Sequence, residues 1–144
     1  MQTTNLKKTV LLLSGGKDSL HALGILLSQD YEVFALCMSG KEKSEEAGAK
    51  KAALEYGVPL KVVQANWFSE TTWNPLKLIY RDLGMGFIAM RHAKRLGATT
   101  ISCGVKPSDF EALPWLNLFL KIGNLILKLF GIQLIFPLKE GGIA

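Results

Sequence analysis

The stretch that most constrains this chain is Ser14-Gly15-Gly16-Lys17-Asp18-Ser19, because of what flanks it. The apolar run Val10-Leu11-Leu12-Leu13 precedes it, and a helical pattern carrying Leu20, Leu23, Ile25, Leu26 and Leu27 follows. A strand that ends in paired glycines and a small hydroxyl, then passes straight into a helix, gathers backbone N–H groups and the positive end of the helix dipole at one point. Such a point is an anion site, and phosphate is the expected guest. Ser14 and Ser19 supply hydroxyl donors, and Lys17 supplies a mobile positive charge. The spacing is not that of Walker A, whose Lys and Ser/Thr follow a second, distant glycine, nor that of the dinucleotide fingerprint. The bland alternative is a strand-to-helix turn that binds nothing. Asp18 keeps two readings, a helix cap or a ligand for Mg²⁺ bridging phosphates; Ser19 is the other candidate cap.

The same alternation of strand and helix continues along the chain. Strands are expected at Thr9–Leu13, Tyr31–Met38, Val58–Gln64, Thr99–Cys103 and Ile132–Phe136, apolar runs of the kind that parallel sheets cover on both faces. Between them, one helix closes at Gln29-Asp30, an alanine-rich charged helix spans Lys41–Tyr56 and closes at Gly57, and a long one spans Leu76–Leu96 with Asn74-Pro75 as its start signal. A further helix covers Trp115–Phe130. Ala65–Asn74, which holds Trp67 and Trp73, reads as a loop, as does Lys106–Phe110. Gly84 and Gly86 interrupt the long helix at a cost of about 1 kcal/mol each, which close approach of a backbone or a ligand would explain. Five strands alternating with four helices predict one open α/β layer domain over residues 1–144. Ligands of such sheets bind beyond the carboxyl ends of the strands, where the winding reverses. Ser14 to Ser19, Ser39-Gly40 and Gly104 all fall at strand ends, so three loops are expected to line one crevice.

Composition narrows the class. Of the 144 residues 49% are hydrophobic and 20% charged, which is globular. The longest stretch without Asp, Glu, Lys or Arg runs only from Ser19 to Gln29, short of the roughly 18 to 20 apolar residues of a membrane span. The polar opening, Met1 to Lys8, lacks a secretory pattern, so a soluble, cytoplasmic protein is expected. Seventeen Lys plus Arg against twelve Asp plus Glu give a net charge of +5, compatible with a polyanionic partner such as a nucleotide or RNA and equally with an ordinary basic protein. Cys37 and Cys103 form no CxxC pair, and if strand one lies between them they stand about 9.6 Å apart, beyond disulfide reach. Both read as buried small hydrophobes. His21 and His92 are not spaced as a metal pair.

Two further residues are candidates for chemistry. Arg81, after Leu78-Ile79-Tyr80, is either a salt-bridged surface residue or a planar clamp for phosphate or substrate. Asp109, in the loop after strand four, is either an Asx-turn or a carboxylate for a substrate amine or a metal. In Trp115–Phe130, Asn117, Lys121, Asn124 and Lys128 form one narrow polar stripe while leucines, isoleucines and Phe119 cover the rest. Sheet packing explains one face of such a helix but not that breadth. The surplus predicts a homo-oligomer contact, favoured over membrane-surface association because only two lysines flank the apolar face.

Ser14-Gly15-Gly16-Lys17-Asp18-Ser19 resembles the pyrophosphate loop of the ATP-pyrophosphatase (PP-loop) superfamily, enzymes that split ATP between the α and β phosphates to activate a substrate oxygen as its adenylate. Beyond the loop, Gly104-Val105, Asp109-Phe110, Pro114, Phe119, Asn124, Gly131-Ile132 and Pro137-Leu138 resemble, in order and approximate spacing, the 7-cyano-7-deazaguanine synthases of queuosine biosynthesis. Arg81 lies near where that family carries an Arg before its third helix. The resemblance covers Thr9 to Lys139. It implies a nucleotide alpha hydrolase-like sheet in the order three, two, one, four, five with helices on both faces, ATP and Mg²⁺ as cofactors, and Lys17, Asp18, Arg81 and Asp109 as candidate catalytic residues. Ser14, Gly15, Gly16, Ser19, Ser39 and Gly104 would then contact the nucleotide. The implied reaction is that of a ligase: a substrate carboxylate attacks the α-phosphorus, pyrophosphate leaves, and ammonia displaces AMP. A small molecule or an RNA is the expected acceptor. The sequence departs from that family at Trp115, Leu116, Asn117 and Leu118, which replace charged residues after Pro114. The family's four-cysteine module has no counterpart up to Ala144, so no zinc is expected. The alternative is an accessory nucleotide-binding subunit that leaves the chemistry to a partner.

Overall fold

A computed structural model describes residues 7–13, 16–39, 44–64, 75–104 and 114–138, with side chains omitted at 44, 75–82 and 114–117. The elements run β1 (Lys8–Leu12), α1 (Lys17–Ser28), β2 (Glu32–Ser39), α2 (Ser44–Tyr56), β3 (Leu60–Gln64), α3 (Pro75–Leu96), β4 (Thr100–Ser102), α4 (Pro114–Leu129) and β5 (Gln133–Ile135). Every expected strand and helix is present, with ends shifted by no more than three residues. The expected loops at 65–74 and 106–110, and Gly40, lie outside the described residues.

All pairings are parallel, and the sheet order is β3-β2-β1-β4-β5. β1 is central because its residues bury on both faces. Val10 and Leu11 are both fully buried, yet they belong to opposite sides of the sheet. Val10 joins Leu36, Ile101, Leu134 and Phe136 under Ala89 and Ala93 of α3, with Leu120 and Leu127 of α4 against the same cluster. Leu11 joins Ala35 and Cys37 under Ala22, Leu23 and Leu26 of α1 and Ala49 and Ala52 of α2. Helices α1 and α2 therefore cover one face and α3 and α4 the other, making three layers. The alanines of α2 and α3 let those helices sit close to the sheet.

The four described helices stop by the same device. Gly57, Gly97 and Gly131 take φ values of +66, +71 and +75°, and in each case the following residue donates its N–H back into the last turn: Val58 to Ala53, Ala98 to Ala93 and Ile132 to Leu127. This is the left-handed helix stop that glycine adopts without a Cβ penalty. In α1 the same position is held by Asp30, φ +62°, with Tyr31 N–H bonded to the Leu26 carbonyl.

Two expectations need correction. Helix α3 runs unbroken through Gly84 and Gly86, and a Cβ at Gly86 would meet nothing within 4 Å among the described residues, so close approach of a described backbone does not account for that glycine. On α4, Asn124 is not part of a solvent-facing stripe: it is buried and its Oδ1 accepts the Leu134 N–H at 3.0 Å. It pins the helix to β5 while Leu118, Ile122, Leu125, Ile126 and Leu129 stand exposed.

Candidate functional site

The winding reverses between β1 and β4. These strands are neighbours, yet the helix after β1 packs on one face and the helix after β4 on the other, which opens a crevice at their carboxyl ends. Buried hydroxyls join the two strands beneath it. Thr9 and Ser102 share a hydrogen bond through their Oγ atoms, and Thr100 Oγ1 donates to the Lys8 carbonyl at 3.2 Å. Sequence reading passed over these residues. Their only signal was a short run of small hydroxyl residues in two otherwise apolar strands.

At the β1 exit, Gly16 is the N-cap of α1, in extended backbone at φ −74° and ψ 163°, with no side-chain cap. This corrects the expectation that Asp18 or Ser19 caps the helix. Both lie inside the first turn, and Ser19 Oγ donates to the Gly16 carbonyl at 3.0 Å. The helix's own ladder begins with Leu20 N–H to that same carbonyl, at 3.1 Å. The N–H groups of Lys17, Asp18 and Ser19 thus lie ahead of the ladder, at the positive end of the dipole. Lys17 is exposed, Asp18 half-buried and Ser19 buried. Ser14 and Gly15 lie outside the described residues.

Gly104 meets this turn from the other side of the crevice. A Cβ added there would lie 3.0 Å from both Cα and N of Ser19 and 3.1 Å from the Asp18 carbonyl carbon. The structure therefore brings Gly104 and the start of α1 together, backbone against backbone. Ser39 ends β2 three residues beyond Leu36, the last partner of β1. Its hydroxyl, fully buried, donates to Glu46 Oε2 of α2 at 2.8 Å, and Glu46 in turn pairs with Lys50 at 3.1 Å. The Ser39 side chain is thus engaged with α2. Arg81 sits in α3, with its side chain outside the described set, and Asp109 lies outside it altogether.

Asp18 is a carboxylate in the first turn of α1; were a nucleotide bound there, it would be the residue to hold Mg²⁺ and so offset phosphate charge. Among the described residues no three His, Cys, Asp or Glu side chains converge on one point. Cys37 is buried on the α1 and α2 side, whereas Cys103, half-buried against the α3 and α4 side, is more open than the sequence predicted.

Comparisons with known proteins agree with this geometry. Residues 8–78, from β1 into α3, match the family model described as Queuosine biosynthesis protein QueC. A 7-cyano-7-deazaguanine synthase from Methanoregula boonei is 34% identical over 90 residues, 61% of this chain and 42% of the relative. Another, from Caldicellulosiruptor bescii, is 32% identical over 129 residues, 74% of this chain and 58% of the relative. The chain thus spans about half the length of the curated relatives it matches. Among solved structures, a predicted subunit of a tRNA methyltransferase from Methanocaldococcus jannaschii superposes with a TM-score of 0.67 over 92% of this chain and 68% of that one, at 20% identity, a likeness of fold. Over the matched stretches the chain is similar to the queuosine biosynthesis protein QueC family and to the 7-cyano-7-deazaguanine synthases, and it shares its fold with the Methanocaldococcus jannaschii structure.

Proposed function

We propose that this chain is a single ATP-binding domain that adenylates a substrate oxygen, a carboxylate or a nucleobase oxygen, with release of pyrophosphate. The observation that carries the reading is the start of α1. The Gly16–Ser19 part of the motif opens the helix at the switch point of the sheet, with Gly16 as a cap that adds no side chain to the anion-facing end. The substrate oxygen attacks the α-phosphorus, the bond to the bridging oxygen breaks, and pyrophosphate departs with that electron pair. The N–H groups of Lys17 to Ser19 and the Lys17 ammonium stabilise the charge that develops there, and Ser14, Gly15, Arg81 and Asp109 complete the site. A second nucleophile, ammonia in the synthases it resembles, then displaces AMP. A small molecule or an RNA is the acceptor, and a soluble, cytoplasmic setting is part of the reading.

Pyrophosphate release from ATP, measured with and without candidate carboxylates and ammonia, tests the proposal. Turnover that depends on an acceptor supports it. Tight ATP binding with no pyrophosphate across the panel would instead favour an accessory nucleotide-binding subunit. Lys17→Ala is expected to weaken ATP binding or turnover at least tenfold, about 1.4 kcal/mol, and an unchanged variant would remove the loop from the reaction.

A further inference from the structure

Gly104 was expected to line the crevice as a nucleotide contact, but its surroundings give it a different task. The three atoms that a Cβ at Gly104 would press on are all main-chain atoms of the first turn of α1, at 3.0, 3.0 and 3.1 Å, where carbon contacts are ordinarily about 3.5–4.0 Å. No side chain rotates away to relieve them. Both sides of the contact are held. The turn is tied by Ser19 Oγ and Leu20 N–H to one carbonyl, that of Gly16, and the β4 exit by Cys103 N–H to the Ile135 carbonyl at 3.1 Å. Among the described residues Gly24, Gly86 and Gly123 meet no such neighbour, which sets this crossing apart from them.

We infer that Gly104 is a positioning residue of the phosphate site: its missing side chain lets the first turn of α1 seat against the β4 exit and thereby sets where the N–H groups of Lys17, Asp18 and Ser19 stand. The inference rests on the reading of Gly16 to Ser19 as a phosphate cradle. It deepens that reading by naming what fixes the cradle's height at the sheet edge. A methyl group at position 104 displaces the turn or the strand exit by a few tenths of an ångström, which moves the N–H groups off the distance and angle their hydrogen bonds to phosphate need.

Pyrophosphate and ATP binding to the whole chain, followed by calorimetry, tests this with Gly104→Ala beside Gly131→Ala. Gly131 stands before β5, at the amino ends of the strands and away from the carboxyl-end crevice, and its φ of +75° makes alanine strained there too. It is therefore a control for lost stability alone. The expected result is a drop of about tenfold or more in pyrophosphate and ATP affinity for folded Gly104→Ala, with wild-type affinity in Gly131→Ala. Wild-type affinity in Gly104→Ala, or equal losses in both variants, overturns the inference. Should Gly104→Ala not fold, amide resonances of the unaltered chain decide: the Gly104 and Ser19 signals are expected to shift along the same titration curve as that of Lys17 when pyrophosphate is added. A Gly104 signal that stays fixed while Lys17 shifts overturns the inference and leaves the phosphate site standing. Absence of any pyrophosphate or ATP binding by the unaltered chain overturns both.

Discussion

Individual residues divide between those left open to solvent at the start of α1 and those engaged within the fold. Lys17 is exposed at the first position of α1, so its charge is available to a phosphate without desolvation of a buried ammonium. Ser39 is engaged with Glu46 and fixes α2 to the end of β2. His92, half-buried on α3, has its pKa lowered below 6.5 first by burial and then by the charges of Lys61 and Arg95. The neutral imidazole is thus favoured in the fold, and below that value the unfolded chain binds the proton more readily. The resulting stability is present above pH 6.5 and is lost as pH falls through the folded value. Thermal melts from about pH 7.5 down to about pH 5.5 are expected to show a steeper loss in the unaltered chain than in His92→Gln. Parallel curves would assign the acid loss to other groups.

At the level of elements, the four helix stops explain how short parallel strands keep their register. Each left-handed residue turns the chain back so that the next strand enters beside its neighbour: β2 after Asp30, β3 after Gly57, β4 after Gly97, β5 after Gly131. Asp30 is the exception in kind. A non-glycine residue in the left-handed region costs about 1–2 kcal/mol, partly offset for Asp by local hydrogen bonding. Asp30→Gly is therefore expected to raise stability by about 0.5–1 kcal/mol in urea unfolding. A loss of stability would mean that the Asp30 side chain contributes more than its backbone costs. The stops themselves were legible in the sequence, since glycine follows three of the four helical patterns. The Gly104 crossing was not, because a glycine at a strand exit reads the same whether it frees the backbone or avoids a neighbour.

Across the whole molecule, the two faces of the sheet are unequally finished. Helix α2 leaves Lys50, Lys51 and Glu55 outside together with Leu54 and Tyr56, whereas α4 leaves an unbroken apolar row of Leu118, Ile122, Leu125 and Leu129, with Ile126 beside it; Leu125 is 64% and Leu129 84% exposed. Asn124 binds the opposite side of the helix to β5, so this row points away from the sheet. Lys121 and Lys128 stand on one flank of the row, which leaves its centre free of charge and able to pair with a second copy while the lysines stay at the rim. We propose a homo-oligomer through this face. Light scattering behind size exclusion is expected to report a dimer or larger assembly, and Leu125→Glu with Leu129→Glu to yield monomer with the pyrophosphate affinity of the unaltered chain. A monomeric unaltered chain would refute the contact. Among the described residues no helix is long and apolar enough to cross a membrane.

The sequence by itself determined the alternation of strands and helices, the parallel α/β class and the position of the glycine motif at the start of α1. These are local properties, set by apolar periodicity and glycine placement. The strand order came from resemblance, and the sheet pairing bears it out. Only the tertiary structure decided which residues meet across distant parts of the chain. Gly104 reaches the first turn of α1, Thr9 reaches Ser102, and Asn124 turns inward to β5. Steric exclusion and burial of polar groups act between atoms far apart in sequence, and no spacing along the chain records them.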